Sequence, residues 1–142
     1  MLKKKGFTLI ELLIVIAVIA ILIGIALPRF VGMRDEGKIA QAKGELRSLQ
    51  TALESYYIHS NAYPADLTAL TTATPSVIGA ALPDDPFNAG NTYGYSTAGQ
   101  YYVVYSVGTA GDGTAAVTDA GVASDTSTAI YATNGEPKDA TP

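Results

Sequence analysis

The chain has 142 residues, 13 acidic and 9 basic side chains, a net charge of −4 and no cysteine. That length leaves room for one modest globular domain beside any membrane segment. The missing thiols exclude disulfides, a thiolate zinc site and a cysteine lipid anchor. The charge is unevenly placed. Residues 29–53 carry five basic and three acidic side chains, whereas nine acids face one base from Glu54 onward. An acidic second half offers no electrostatic footprint for nucleic acid, so no nucleic-acid partner is expected. A basic rod and an acidic head either attract each other between stacked subunits or are simply solvated surfaces.

In chain order, Lys3, Lys4 and Lys5 precede Gly6-Phe7-Thr8-Leu9-Ile10-Glu11 and then an uninterrupted apolar run over 12–27. The 21 residues 7–27 make about 31 Å of helix, enough to cross a hydrocarbon core once. The three lysines keep the N-terminus cytoplasmic by the positive-inside rule, so the remainder faces outward. A secretory signal fits poorly: the apolar run is too long, a carboxylate stands at its head, and no small-residue cleavage site follows it. A carboxylate at the edge of a bilayer is costly and rare, so Glu11 is expected to have a task. Were the chain cut after Gly6, Phe7 would gain an ammonium one helical turn from that carboxylate, or from that of a neighbour.

Pro28 should kink or weaken the helix. The helical pattern then resumes, with Ile39, Ala42, Leu46, Leu49, Leu53 and Tyr56 spaced by threes and fours on one face. Such a stripe needs a cover, either the chain's own C-terminal domain or a coiled-coil partner. Gly32, Gly37 and Gly44 each weaken a helix, and with Pro28 they make 28–37 its softest part. The helix is expected to end near Ser60-Asn61. Residues 64–70 are expected to form a short helix with Pro64 in its first turn, and 82–88 a proline-rich loop. Strands are expected at 92–96 and 100–107 around a turn at 96–99, and at 129–133. In the second of these, Tyr101, Val103, Tyr105 and Val107 share one face, opposite Tyr102, Val104 and Ser106. Residues 108–128, rich in Gly, Ala, Thr, Ser and Asp, are too poor in apolar side chains to fold alone. The tail 136–142 is expected to be disordered. His59 is the one histidine, at the end of the long helix, and no Ser/His/Asp or Cys nucleophile arrangement can be built around it. Gly108-Thr109-Ala110-Gly111-Asp112-Gly113 lacks the ending of a phosphate loop and is turn chemistry. The chain does not read as an enzyme.

From Lys5 to Leu27 the sequence resembles the type IV pilin and pseudopilin superfamily. The resemblance implies cleavage after Gly6 by a prepilin peptidase, N-methylation of Phe7, and a role for Glu11 in setting subunit register during filament assembly. Further on, Asp85-Pro86-Phe87, Tyr93-Gly94-Tyr95, Tyr105-Ser106-Val107-Gly108 and Gly111-Asp112-Gly113 resemble, in that order, the major pseudopilin family of type II secretion. The implied fold is α+β and type IV pilin-like: a long N-terminal helix, transmembrane then amphipathic, packed against a small C-terminal antiparallel sheet. The implied organisation is a leader at 1–6, a transmembrane half-helix at 7–28, an amphipathic half at 29–60, a globular α/β head at 61–135 and the tail at 136–142.

The resemblance also implies a calcium loop, with ligands at the Val107 carbonyl, Asp112, and one or both of Asp119 and Asp125. Calcium takes about six to eight hard oxygens from a flexible loop. This sequence departs from the family pattern, since Ser127-Thr128 occupy the place of paired acids before the last strand. Solvated loop aspartates are the alternative. The implied role is a structural subunit of a helical filament that drives protein export. Its partners would be further copies of itself, minor pseudopilins, the inner-membrane secretion platform and its ATPase. It would sit in the bacterial inner membrane by a single pass, head in the periplasm, and then in a periplasmic or cell-surface filament. A type IV pilus subunit for adhesion, motility or DNA uptake, and a membrane-tethered binding module, are the alternatives.

Overall fold

A computed structural model describes residues 6–73, 76–79, 81–126 and 128–137, and the side chains of all of these except 30 and 31. Lys3, Lys4 and Lys5, Ser127 and the tail beyond residue 137 lie outside the described residues. The first element is a 52-residue helix, α1 (Leu9–Ser60), which continues through Pro28 and ends where the sequence places it. Contacts divide the chain into two compact units that meet between Glu36 and Gly37.

The first unit is the apolar half of α1. Its side chains face outward on every side, with Leu22 and Leu27 each 60 % exposed. A helix apolar all round requires an apolar surrounding, and this one is long and apolar enough to cross a membrane.

In the second unit α1 is amphipathic. Ala42, Leu46, Leu49, Ala52 and Leu53 are buried. They are covered by a three-stranded antiparallel sheet of β1 (Gly94–Ala98), β2 (Tyr101–Ser106) and β5 (Ile130–Thr133), in the order β1-β2-β5. The period-two pattern of β2 works on both faces: Tyr102 and Val104 join the helix stripe in one core, and Val103 faces a second. The expected 92–96 strand lies two residues later, because Ala98 pairs with Tyr101 and only Gly99 and Gln100 remain for the turn. Gly99 takes φ +57°, as the first residue of a II′-type hairpin requires.

Polar bonds flank the apolar seam. Tyr93 donates to Glu45, Tyr63 and Tyr102 donate to Glu54, and Gln50 donates to the Thr133 carbonyl. Burial, and then Glu54, push the Tyr63 hydroxyl up to about 12. The hydroxyls of Tyr102 and Tyr93 are also raised, chiefly by burial. These donors therefore keep their protons at neutral pH. Their contribution is lost only as pH rises beyond the ordinary tyrosine range of about 10.

Three expectations are corrected. The short helix is α2 (Ala69–Thr72), later than 64–70, because Asp66 accepts from the Thr68 and Ala69 amides and the chain turns there first. The 108–128 run contains two strands, β3 (Ala115–Val117) and β4 (Val122–Asp125). Ala115 and Val117 bury against Val103 with Ala98, Tyr101 and Tyr105 around them, so this segment folds on the outer face of the first sheet. Residues 136 and 137, expected in the tail, form β6 (Glu136–Pro137), parallel to β4.

Close backbone approach replaces bulky side chains in this region. A Cβ on Gly113 would lie 2.5 Å from the Val107 carbonyl oxygen, and one on Gly135 would lie 2.1 Å from that of Gly121.

One buried carboxylate ties the loops together. Asp85 is 1 % exposed. It accepts from Ser106 Oγ at 2.7 Å, from the Val107 amide at 2.9 Å and from the Phe87 amide at 2.9 Å. It thereby fastens the 84–92 loop to the end of β2. Asp85→Ala leaves those donors unpaired, each at about 1–3 kcal/mol. We predict a loss of roughly 3 kcal/mol or more and a fall in melting temperature of about 10 °C or more, read by circular dichroism on the full chain in detergent. A shift within about 2 °C would contradict this role.

Candidate functional site

The N-terminal site is a short extended segment leading into α1. Gly6, Phe7 and Thr8 precede the helix, and Phe7 is 84 % exposed. Helix starts leave amide donors unsatisfied, and here Thr8 and Glu11 satisfy them reciprocally. The Thr8 amide and hydroxyl both donate to Glu11 Oε2, at 2.9 and 2.7 Å, and the Glu11 amide approaches Thr8 Oγ1 at 3.4 Å. This is a capping box, and the Thr-x-x-Glu signature for it is present in the sequence though absent from the reading above. It fixes where the helix begins and points the carboxylate back toward Phe7. The peptide bond after Gly6 stands outside the helix.

The second candidate is the loop following β2. Glycines at 108, 111 and 113 let it fold back sharply, and the Val107 carbonyl accepts from the Gly113 amide at 2.8 Å. Asp112 is exposed and accepts from Thr128 Oγ1 at 3.0 Å, joining the loop to the start of β5. Asp125 is half-buried at the end of β4, paired with Ala115. Asp119 is elsewhere: it lies in the β3–β4 turn, beside Gly99 at the opposite end of β2. Val107 and Asp112 thus share a loop, Asp125 stands at the same end of the hairpin, and Asp119 is separated from them by the length of a strand. Among the described residues no three acidic or histidine side chains converge on one point. Of Asp119 and Asp125, one or both of which were expected beside Asp112, Asp125 is the one at this end of the hairpin. The missed residue here is Asp85, whose hold on the Val107 amide fixes the end of the strand from which the loop departs. The signal was Asp-Pro-Phe, read as a motif and not as a buried acid.

Comparison with known proteins follows the same division of the chain. Residues 1–27 match the prokaryotic N-terminal methylation motif, and residues 29–125 match the type II secretion system (T2SS), protein G, family. The type II secretion system core protein G of Aeromonas hydrophila is 30 % identical over 125 residues, covering 78 % of this chain and 86 % of that protein. The protein of the same name from Pseudomonas aeruginosa is 29 % identical over 124 residues, covering 77 % and 86 %. The type IV major pilin protein PilA of Myxococcus xanthus is 43 % identical, but over only 61 residues, 43 % of this chain and 28 % of that protein. No solved structure gives a significant match. Similarity that persists through the head, and not only along the membrane helix, is what separates the two groups: the chain belongs to the type II secretion system protein G family.

Proposed function

We propose that this chain is the structural subunit of a type II secretion pseudopilus, assembling through α1 into a helical filament. The observation that carries the reading is the match over 29–125, which extends through the head. The pilin relatives align over about half of the chain and so support the alternative, a true pilus subunit, only through shared helix features. Identical head-to-tail contacts that do not close generate an open helix. An apolar helix exposed on all sides suits both a bilayer and the interior of such a filament. In this reading a prepilin peptidase cuts after Gly6 and Phe7 is methylated. The N-terminus faces the cytoplasm and the head the periplasm. Minor pseudopilins, the membrane platform and its ATPase are the partners. Glu11 pairs with the Phe7 amine of a neighbour, which fixes register. Filaments sheared from cells that express the chain with its secretion machinery should contain protein beginning at Phe7, about 14 mass units heavy from methylation, by intact-mass spectrometry. A mature start beyond Leu27 would contradict the reading.

We further propose that the loop after β2 holds calcium through the Val107 carbonyl and Asp112, with Asp125 next to them and Asp119 uninvolved. The support is a glycine-rich loop that carries the Val107 carbonyl and Asp112, with Asp125 at the paired end of the β3–β4 hairpin, and calcium prefers flexible oxygen-rich loops to the rigid octahedron magnesium demands. A bound ion stabilises only the folded state. The full chain in detergent should melt higher in millimolar calcium than in chelator, magnesium should substitute poorly, and Asp112→Ala should abolish the difference. Identical melting curves in calcium and chelator would contradict the site.

A further inference from the structure

The turn after β5 reads Asn134-Gly135, the one place in the chain where glycine follows asparagine. Asn134 is exposed to solvent, yet its side chain is held at three points. Its Oδ1 accepts from the Tyr102 amide at 2.8 Å, and its Nδ2 donates to the Gln100 carbonyl at 2.9 Å and to the Tyr63 hydroxyl at 3.1 Å. These bonds tie the end of β5 to the start of β2, to the β1–β2 turn and to Tyr63 ahead of α2. Gly135 answers to a different constraint. A Cβ there would lie 2.1 Å from the Gly121 carbonyl oxygen, which accepts from the Glu136 amide at 2.7 Å. The fold therefore sets this asparagine and this glycine side by side for two unrelated reasons.

That pair is chemically labile. With no side chain on the following residue, its backbone nitrogen can swing onto the asparagine Cγ. A bond forms between the Gly135 nitrogen and Asn134 Cγ, the Cγ–Nδ2 bond breaks, and ammonia leaves carrying the amide proton. Water then opens the cyclic imide to aspartate or isoaspartate. One water is consumed, one ammonia is released, and nothing is oxidised or reduced. The first step needs the nitrogen aligned on Cγ. In the folded head the Gly135 amide instead donates to Thr133 Oγ1 at 2.9 Å, while the three side-chain bonds hold Cγ in place. Thr133 Oγ1 donates in turn to the Tyr102 carbonyl. Local opening of this sheet end releases both reacting groups together.

We propose that Asn134 is a deamidation site gated by the fold, kept as asparagine while the end of β5 is closed and converted to aspartate or isoaspartate when it opens. The product cannot rebuild the latch. In aspartate an oxygen replaces Nδ2 and faces the Gln100 carbonyl with no proton between them, and the Tyr63 hydroxyl loses its Nδ2 donor. Isoaspartate also lengthens the main chain by one carbon just ahead of β6. A transient opening of the head thus becomes a permanent one. The proposal does not depend on the filament reading.

The test incubates the full chain in detergent, in mildly alkaline buffer with or without guanidinium, and follows each asparagine by peptide mapping and mass spectrometry. Conversion at Asn134, a gain of about one mass unit, should run at least tenfold faster in denaturant than in the folded chain. Thr133→Val removes the acceptor of the Gly135 amide. It should speed conversion in the folded chain at least threefold, leave the rate in denaturant unchanged, and leave Asn61, Asn88 and Asn91 as they are in the parent. Asn134→Asp should lower the melting temperature by about 4 °C or more, read by circular dichroism. Equal rates with and without denaturant overturn the proposal, as does an unchanged rate in folded Thr133→Val. An acceleration shared by the other three asparagines reports general unfolding and also overturns it. A melting temperature of Asn134→Asp equal to the parent's overturns the latch.

Discussion

One continuous helix has to satisfy two different surroundings. Up to Leu27, α1 presents apolar side chains in every direction. From Gly37 onward it presents a stripe that must be covered on one side only. The sheet exists, energetically, to cover that stripe. Burying each leucine contributes about 1.5–3 kcal/mol relative to exposure, and Leu46, Leu49 and Leu53 are all essentially inaccessible. The polar residues bordering the stripe then determine how the sheet sits. Glu45, Gln50 and Glu54 are each bonded from the sheet side, so their partners are tied to particular turns of the helix. Apolar burial supplies the attraction and the border bonds supply the register.

Without cysteine, the second half of the head holds its loops by other means. Backbone approaches backbone at Gly113 and Gly135 more closely than any side chain would allow. The buried Asp85 carboxylate gathers a hydroxyl and two amides from two places in the chain, Phe87 and the pair Ser106 and Val107. Charge-assisted bonds to a carboxylate are the stronger kind. The consequence reaches the surface, since the same carboxylate fixes the Val107 amide at the root of the loop that carries Asp112.

Much of this was legible in the sequence wherever a periodic signal was carried by large side chains. The stripe from Ala42 to Leu53, the end of α1 at Ser60 and the two faces of β2 all follow from spacing. β3 and β4 did not, because their inward residues are alanine and valine and their stability comes from tertiary contact with Tyr101 and Tyr105. A composition poor in apolar side chains looks disordered until a preformed sheet is available to receive it. β6 was hidden for the same reason, since its pairing depends on Gly135 lying against Gly121. The burial of Asp85 was hidden because two of its three donors, Ser106 and Val107, are distant in sequence. At the N-terminus the carboxylate was legible but its capping bond was overlooked, although Thr8 and Glu11 have the required spacing.

That capping bond bears on how the subunit works. In the single chain the Glu11 carboxylate has a local task, holding the start of α1 through Thr8. In the filament proposed above it takes a second, electrostatic one, toward the amine of a neighbour. Glutamine serves the first, since a capping box accepts Glu or Gln, but it carries no charge for the second. The measurement that addresses the central claim most directly is therefore filament yield from Glu11→Gln in the full chain, with processing and membrane insertion measured alongside. The account predicts a chain that is cleaved after Gly6 and inserted like the parent but forms no filaments. Filaments at the parental level would contradict it.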